Sequence, residues 1–203
     1  MIQNRKRKTK DPCAACGLHR DLCICSLIPV LNLKTKICLV IHRKELKRTT
    51  NTGQLAVRSL TNSEIRIRGA LNQQALDLSD LLVPAYRTLF FFSGPEAVEL
   101  TPEFVQQSSL PIQLIVPDGN WRQASKVYPR HPELKNVQMV KISSPNLAKN
   151  HLRAEHSPEG MATLQAIACA LGIIENDATK LALLRLYEAK LSRTLQGRGI
   201  LTE

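Results

Sequence analysis

The chain has 203 residues and a mass of 22.7 kDa, enough for one ordinary domain with a small appendage and too little for two full domains. Apolar residues make up 43% of it and charged residues 22%, which excludes wholesale disorder, collagen-like repeats and low-complexity scaffolds. A formal charge of +11, with an isoelectric point near 9.7, points to a polyanionic partner, with nucleic acid the first candidate.

The charge is concentrated at one end. Residues 1–48 hold twelve Lys or Arg against Asp11, Asp21 and Glu45, a net of +9, and the other 155 residues carry +2. Residues 1–11 are expected to form a basic flexible arm in which Lys6, Arg7 and Lys8 meet RNA phosphates; a solvated tail is the competing reading. This N-terminus lacks the apolar run of a secretory signal, and no stretch approaches the 18 apolar residues that span a bilayer. A cytoplasmic protein with no membrane span is expected.

Residues 12–28 carry Cys13, Cys16, Cys23 and Cys25 in the pattern C-x2-C-x6-C-x-C. Two disulfides this close would not persist in a reducing compartment, whereas four thiolates can close a tetrahedral zinc site and fold a segment that has no core of its own. Gly17 permits a turn after the first pair, and His19 and Arg20 are expected to set positive charge beside a site carrying two net negative charges. Cys38 and Cys169 lie in apolar runs and read as inert buried thiols.

Beyond residue 29, short apolar runs over 37–41, 89–92, 112–116 and 137–142 predict strands. Helices are expected over 54–60, 71–82, 97–107 with Pro102 interrupting, 121–127, 158–171 from a Ser157 cap to a Gly172 stop, and 178–195. Alternation of near-continuous apolar strands with helices implies an α/β fold, a mainly parallel sheet with flanking helices. The Leu183, Leu184, Tyr187 and Leu191 stripe reads as core or subunit contact, so monomer and homodimer both stand.

In such sheets ligands sit beyond the carboxyl ends of the strands. Asp118 ends one strand, ahead of Gly119 and the large flat Trp121, as a functional acid or a helix cap. His42, Glu45 and Arg48 with Thr49-Thr50-Asn51-Thr52-Gly53 follow another strand and suit phosphate or cofactor contact. The turn Ser93-Gly94-Pro95 and the stretch from Arg153 through Gly160 to Thr163 and Gln165 supply two further loops, the latter at a helix entrance that favours anions.

Taken in order, the cysteine cluster, the His42/Glu45/Arg48 loop, the Ser93-Gly94-Pro95-Glu96-Ala97 turn, the segment from Pro117 to Lys126 and the Glu159-Gly160 entrance resemble the DTW-domain family over nearly the whole chain. Its bacterial members are similar in build, with a cysteine cluster ahead of one domain. The resemblance implies that residues 29–203 are a catalytic domain related to the SPOUT class of knotted α/β folds. It further implies a tRNA-uridine aminocarboxypropyltransferase, with S-adenosylmethionine as donor and a tRNA variable-loop uridine as acceptor. On that reading Asp118 is the candidate base at uridine N3, and Ser93, Gly94, Asp118, Trp121, Arg153, Gly160 and Thr163 contact the donor. His42, Arg43, Lys44, Arg48 and Asn51 join Lys6, Arg7 and Lys8 in contacting tRNA rather than DNA. Asn120 stands where the family's Asp-x-Thr-Trp segment has Thr, and Gln165 where many relatives have Glu. A SPOUT-like RNA methyltransferase and a non-catalytic zinc-containing RNA-binding protein are the alternatives.

Overall fold

A computed structural model describes residues 11–69, 75–143, 152 and 160–200. Lys6, Arg7, Lys8, Arg153 and Glu159 lie outside them, as do most of the expected arm and the expected Ser157 cap. Six strands, β1 (Lys36–His42), β2 (Ser63–Arg68), β3 (Arg87–Phe91), β4 (Val98–Glu99), β5 (Ile112–Asp118) and β6 (Gln138–Lys141), form one sheet in the order β2-β1-β5-β3-β6-β4. Every neighbouring pair is parallel. The helices are α1 (Gly53–Ser59), α2 (Pro102–Gln106), α3 (Trp121–Ala124), α4 (Val127–Arg130), α5 (Thr163–Ile174) and α6 (Asp177–Gly197).

The continuous apolar character of β1 and β5 has its cause in burial on both faces. One face, with Leu39, Ile41, Leu114 and Val116, packs on Leu55 of α1, Ile167 of α5 and Leu183 of α6. The opposite face, with Val40, Phe90 and Ile115, packs on Val127 of α4 and on Leu134. β1 therefore feeds α1 on one side of the sheet and returns to β2, while the adjacent β5 feeds α3 and α4 on the other side and returns to β6. Adjacent strands whose connections depart in opposite directions open a crevice at their carboxyl ends. Ile41 pairs with Asp118 across that boundary.

Several expected elements are corrected. β2 and β4 were not legible as strands. Residues 75–78 carry no regular structure and only a 3-10 turn forms at Ser79–Leu81 in place of the helix expected there. Pro102 starts α2 rather than interrupting it, because its missing N–H falls at a helix start, where Thr101 caps the Phe104 N–H. α5 starts at Thr163 and runs through Gly172, where the Lys180 side chain lies so close that a Cβ would stand 2.8 Å from its Cδ. Cys38 is fully buried, and burial pushes its thiol up to about 12; Cys169 is partly exposed, unlike the inert buried thiol expected. Among the described residues no helix is long and apolar enough to cross a membrane.

Candidate active site and thiolate centre

The strand-end crevice is organised around a buried carboxylate. Asp118 is 4% exposed; its Oδ2 accepts from Asn51 Nδ2 at 2.5 Å and its Oδ1 from the Thr163 hydroxyl at 2.6 Å. A charge so placed needs such donors, because unpaired it would cost several kcal/mol. Gly53 leaves room for it: a Cβ there would lie 3.0 Å from the Asp118 carboxyl. Thr52 completes the cluster, its hydroxyl accepting the Leu164 N–H of α5 at 3.2 Å, while Gln165 Oε1 accepts the Ala162 N–H at 3.1 Å. The loop after β1, the end of β5 and the first turn of α5 thus meet in one polar knot.

Asp118 is not the cap of α3. That role belongs to Asn120, whose Oδ1 accepts the Gln123 N–H at 2.9 Å while Gln123 Oε1 accepts the Asn120 N–H at 2.9 Å. The residue that departs from the family segment therefore performs the capping job Thr would perform. α3 in turn presents Trp121, 53% exposed, with its ring against Phe92 at 4.8 Å between centroids and tilted by 32°. Phe92 follows β3, so the Ser93-Gly94 turn and the Asp118 segment share one end of the sheet. Ser93 is exposed, whereas Gly94 is half-buried and packs on Met139. Gly160 is half-buried just ahead of α5.

The expected RNA-facing residues divide. Arg43, Lys44 and Arg48 are exposed. Asn51 is 8% exposed with its amide turned inward to Asp118, so it serves the polar knot rather than an outer surface. His42 Nδ1 accepts the Lys44 N–H at 3.2 Å; burial, then the Arg68 and Lys44 charges, lowers its pKa. Glu45, wholly buried, pairs with Arg48 at 3.1 Å. Arg68, which sequence reasoning missed, ends β2 beside His42 and is 8% exposed. Its guanidinium donates to the Gln123 carbonyl and feels the like charge of Arg130. The signal available for it is a basic residue at the end of the alternating segment Ser63 to Arg68.

The four cysteines converge. Cys13 and Cys25 sulfurs lie 3.6 Å apart, Cys16 and Cys23 3.8 Å, and Cys13 and Cys23 3.7 Å, with all four within 4.8 Å of one another. A tetrahedron with metal–sulfur bonds of about 2.3 Å has edges of about 3.8 Å, so the donor set fits zinc. Backbone N–H groups of Cys16 and Ala15 lower the Cys13 pKa, whereas burial raises that of Cys25. The expected charge compensation by His19 and Arg20 is not what the structure contains. Arg20 pairs with Asp11 at 2.8 Å, and His19 Nδ1 accepts the Asp21 N–H at 3.3 Å. The cation buried at the cluster is Lys190 of α6, whose ammonium donates to the Cys16 carbonyl at 2.5 Å.

Fold and site together describe a parallel α/β domain with a buried acid at its strand ends and a thiolate segment docked on its last helix. The chain belongs to the DTW domain family, whose model matches residues 10–195. It is 24% identical over 195 residues to tRNA-uridine aminocarboxypropyltransferase 2 of Macaca fascicularis, covering 93% of this chain and 65% of that protein. The protein of the same name in Mus musculus is 24% identical, covering 96% and 66%, and that of Drosophila melanogaster 25%, covering 85% and 68%. The chain thus spans about two thirds of the length of these relatives. A solved structure, the SAM-dependent rRNA:acp-transferase Tsr3 of Vulcanisaeta distributa, aligns over 80% of each chain with 17% identity and a TM-score of 0.46.

Proposed function

We propose that the protein transfers the 3-amino-3-carboxypropyl group of S-adenosylmethionine to N3 of a tRNA uridine. The observation that carries the reading is the meeting of Asp118, Asn51, Gly53 and Thr163 at the switch point of the sheet, beside an exposed Trp121. Family membership and the names of the animal relatives support it; a specifically bacterial type, a SPOUT-like knotted fold and a cytoplasmic location belong to the same proposal. The bound donor supplies an electrophilic carbon attached to a sulfonium. The N3–C bond forms as the C–S bond breaks, its electron pair leaving with sulfur as methylthioadenosine.

This chain's own residues bind, orient and move one proton. Trp121 offers an open aromatic face for a base, and Ser93, Gly94 and Gly160 let backbone approach the donor. Asp118 is too deeply buried to reach a uracil directly. Its route to the substrate is the partly exposed Thr163 hydroxyl, which takes the N3 proton as its own passes to Asp118 Oδ1. Arg43, Lys44 and Arg48 hold phosphates. Incubation with unmodified tRNA and the donor, followed by mass analysis of nucleosides and of the sulfur product, decides the class of reaction. Methylthioadenosine with the modified uridine is expected. S-adenosylhomocysteine would instead mark a methyltransferase, and no turnover a binding protein.

A further inference from the structure

Lys190 lies in the middle of α6, a helix whose apolar stripe explains its packing but not a charge within it. The side chain is 0% exposed, and its Nζ donates to the Cys16 carbonyl at 2.5 Å. Among the described residues no carboxylate pairs with it. A buried ammonium held by one carbonyl leaves most of its desolvation cost uncompensated. Cys16, which it touches, belongs to the cluster whose four sulfurs lie within 4.8 Å of one another. Four thiolates around a divalent ion carry two net negative charges, so the centre supplies what the ammonium lacks, and the ammonium removes half of what the centre has in excess.

The same segment touches the candidate active site. Gly17, at φ +70, lies against Thr49, where a Cβ would stand 3.4 Å from the Thr49 Cα. Thr49 opens the loop that delivers Asn51 and Thr52 to Asp118 and to α5. α6 packs along α5, the helix that begins at Thr163, and Leu22 of the cysteine segment reaches Gly197 at its far end. The cysteine segment thus lies between the Thr49 loop of the polar knot and α6, which packs along the α5 that opens it.

We propose that Lys190 is a positioning residue for the metal centre, at once its counter-cation and its anchor to α6, so that metal occupancy sets how firmly the cysteine segment is held against the Thr49 to Gly53 loop. The proposal does not depend on which reaction the site performs. It makes the effect of removing the charge opposite in sign with and without metal. With zinc, loss of the cation leaves a dianionic centre uncompensated; without zinc, it removes an unpaired buried charge.

The test uses the full chain carrying Lys190→Met, and Lys190→Gln, which keeps a donor for the Cys16 carbonyl but no charge. Zinc affinity is read by competition with a chromogenic chelator, and thermal midpoints are read with saturating zinc and with excess chelator. Both variants are expected to bind zinc about 10- to 100-fold more weakly, the range for losing an outer-shell partner. Their midpoints should fall below wild type in zinc and match or exceed it in chelator. Unchanged zinc affinity, or midpoints lowered equally in both conditions, would overturn the proposal and leave Lys190 a packing residue. If Met at this position fails to fold, the Gln variant alone still reports the charge.

Discussion

Asp118 ties the polar knot together and, on the proposed reading, receives the N3 proton, and its neighbours allow the two roles to be told apart. Replacing it with Asn leaves one oxygen and one NH2 to face two donors, so the amide can accept from only one of Asn51 Nδ2, which now donates at 2.5 Å, and the Thr163 hydroxyl; the change should cost about 1–3 kcal/mol of stability in thermal or denaturant unfolding. The exchange Asn51→Asp with Asp118→Asn restores one donor and one acceptor, so it should recover most of that stability while transfer stays lost, because the carboxylate no longer faces Thr163. Recovery of both would make Asp118 a structural group only. Thr163→Val keeps the shape and removes the hydroxyl; transfer should drop by about 100-fold or more, the usual yield of a general acid–base group, and Thr163→Ser should restore most of it. His42 gives a pH signature. Burial and neighbouring cations lower its folded pKa, so the unfolded chain binds the proton first. Its contribution is complete above an unfolded pKa of about 6.5 and is lost as pH falls from there toward the folded value. His42→Asn keeps an acceptor for the Lys44 N–H, and its thermal midpoint should vary less than wild type between pH 7.5 and 5.

The short helix α3 holds Trp121 in place through one reciprocal cap, so the cap can be tested as a unit. Asn120→Ala should cost about 1 kcal/mol, whereas Asn120→Thr, which also caps, should stay within a few tenths of wild type in midpoint measurements. The departure from the family segment is thereby tolerated on physical grounds. Which elements could be read beforehand follows from where their partners lie. β1, β3 and β5 were legible because strands buried on both faces leave continuous apolar runs, and β6 because Val137, Met139, Val140 and Ile142 cluster around it although Gln138 is exposed. β2 was not, since it inverts the usual pattern. Glu64 and Arg66 are partly covered and tied to Lys36 and Asp80, while Ile65 and Ile67 are the more exposed pair. The start of α5 is not legible locally because its first turn is capped by Thr52, far away in the sequence, whereas Ser157 and Pro158 offer a cap nearby in the sequence. The cysteine cluster and Asp118 could be named from residue type and spacing. Lys190 and the inward turn of Asn51 could not, because each acquires its partner only when distant segments meet.

Charge is arranged over the molecule in relation to that crevice. Arg43 and Lys44 follow β1, Arg68 ends β2 and Arg130 ends α4, so cations gather at the end of the sheet where Asp118 lies. None of these four has an ion-pair partner among the described residues, in contrast to Lys36, Arg48 and Arg66. Arg43, Lys44 and Arg130 are exposed, and exposed cations left without partners repel one another, a cost that a phosphate backbone relieves; Arg68, 8% exposed, adds its charge from beneath. If tRNA lies across this end, each phosphate contact releases condensed counterions, and binding weakens with salt in proportion to their number. The double replacement Arg43→Ala and Lys44→Ala should therefore shallow the slope of log affinity against log salt by about 2, roughly one per contact, with little change in thermal midpoint. It should also act on unrelated tRNAs alike, because phosphate contacts carry no sequence information. A slope equal to that of wild type would place the RNA elsewhere on the surface and remove the link between the basic end and the polar knot beneath it.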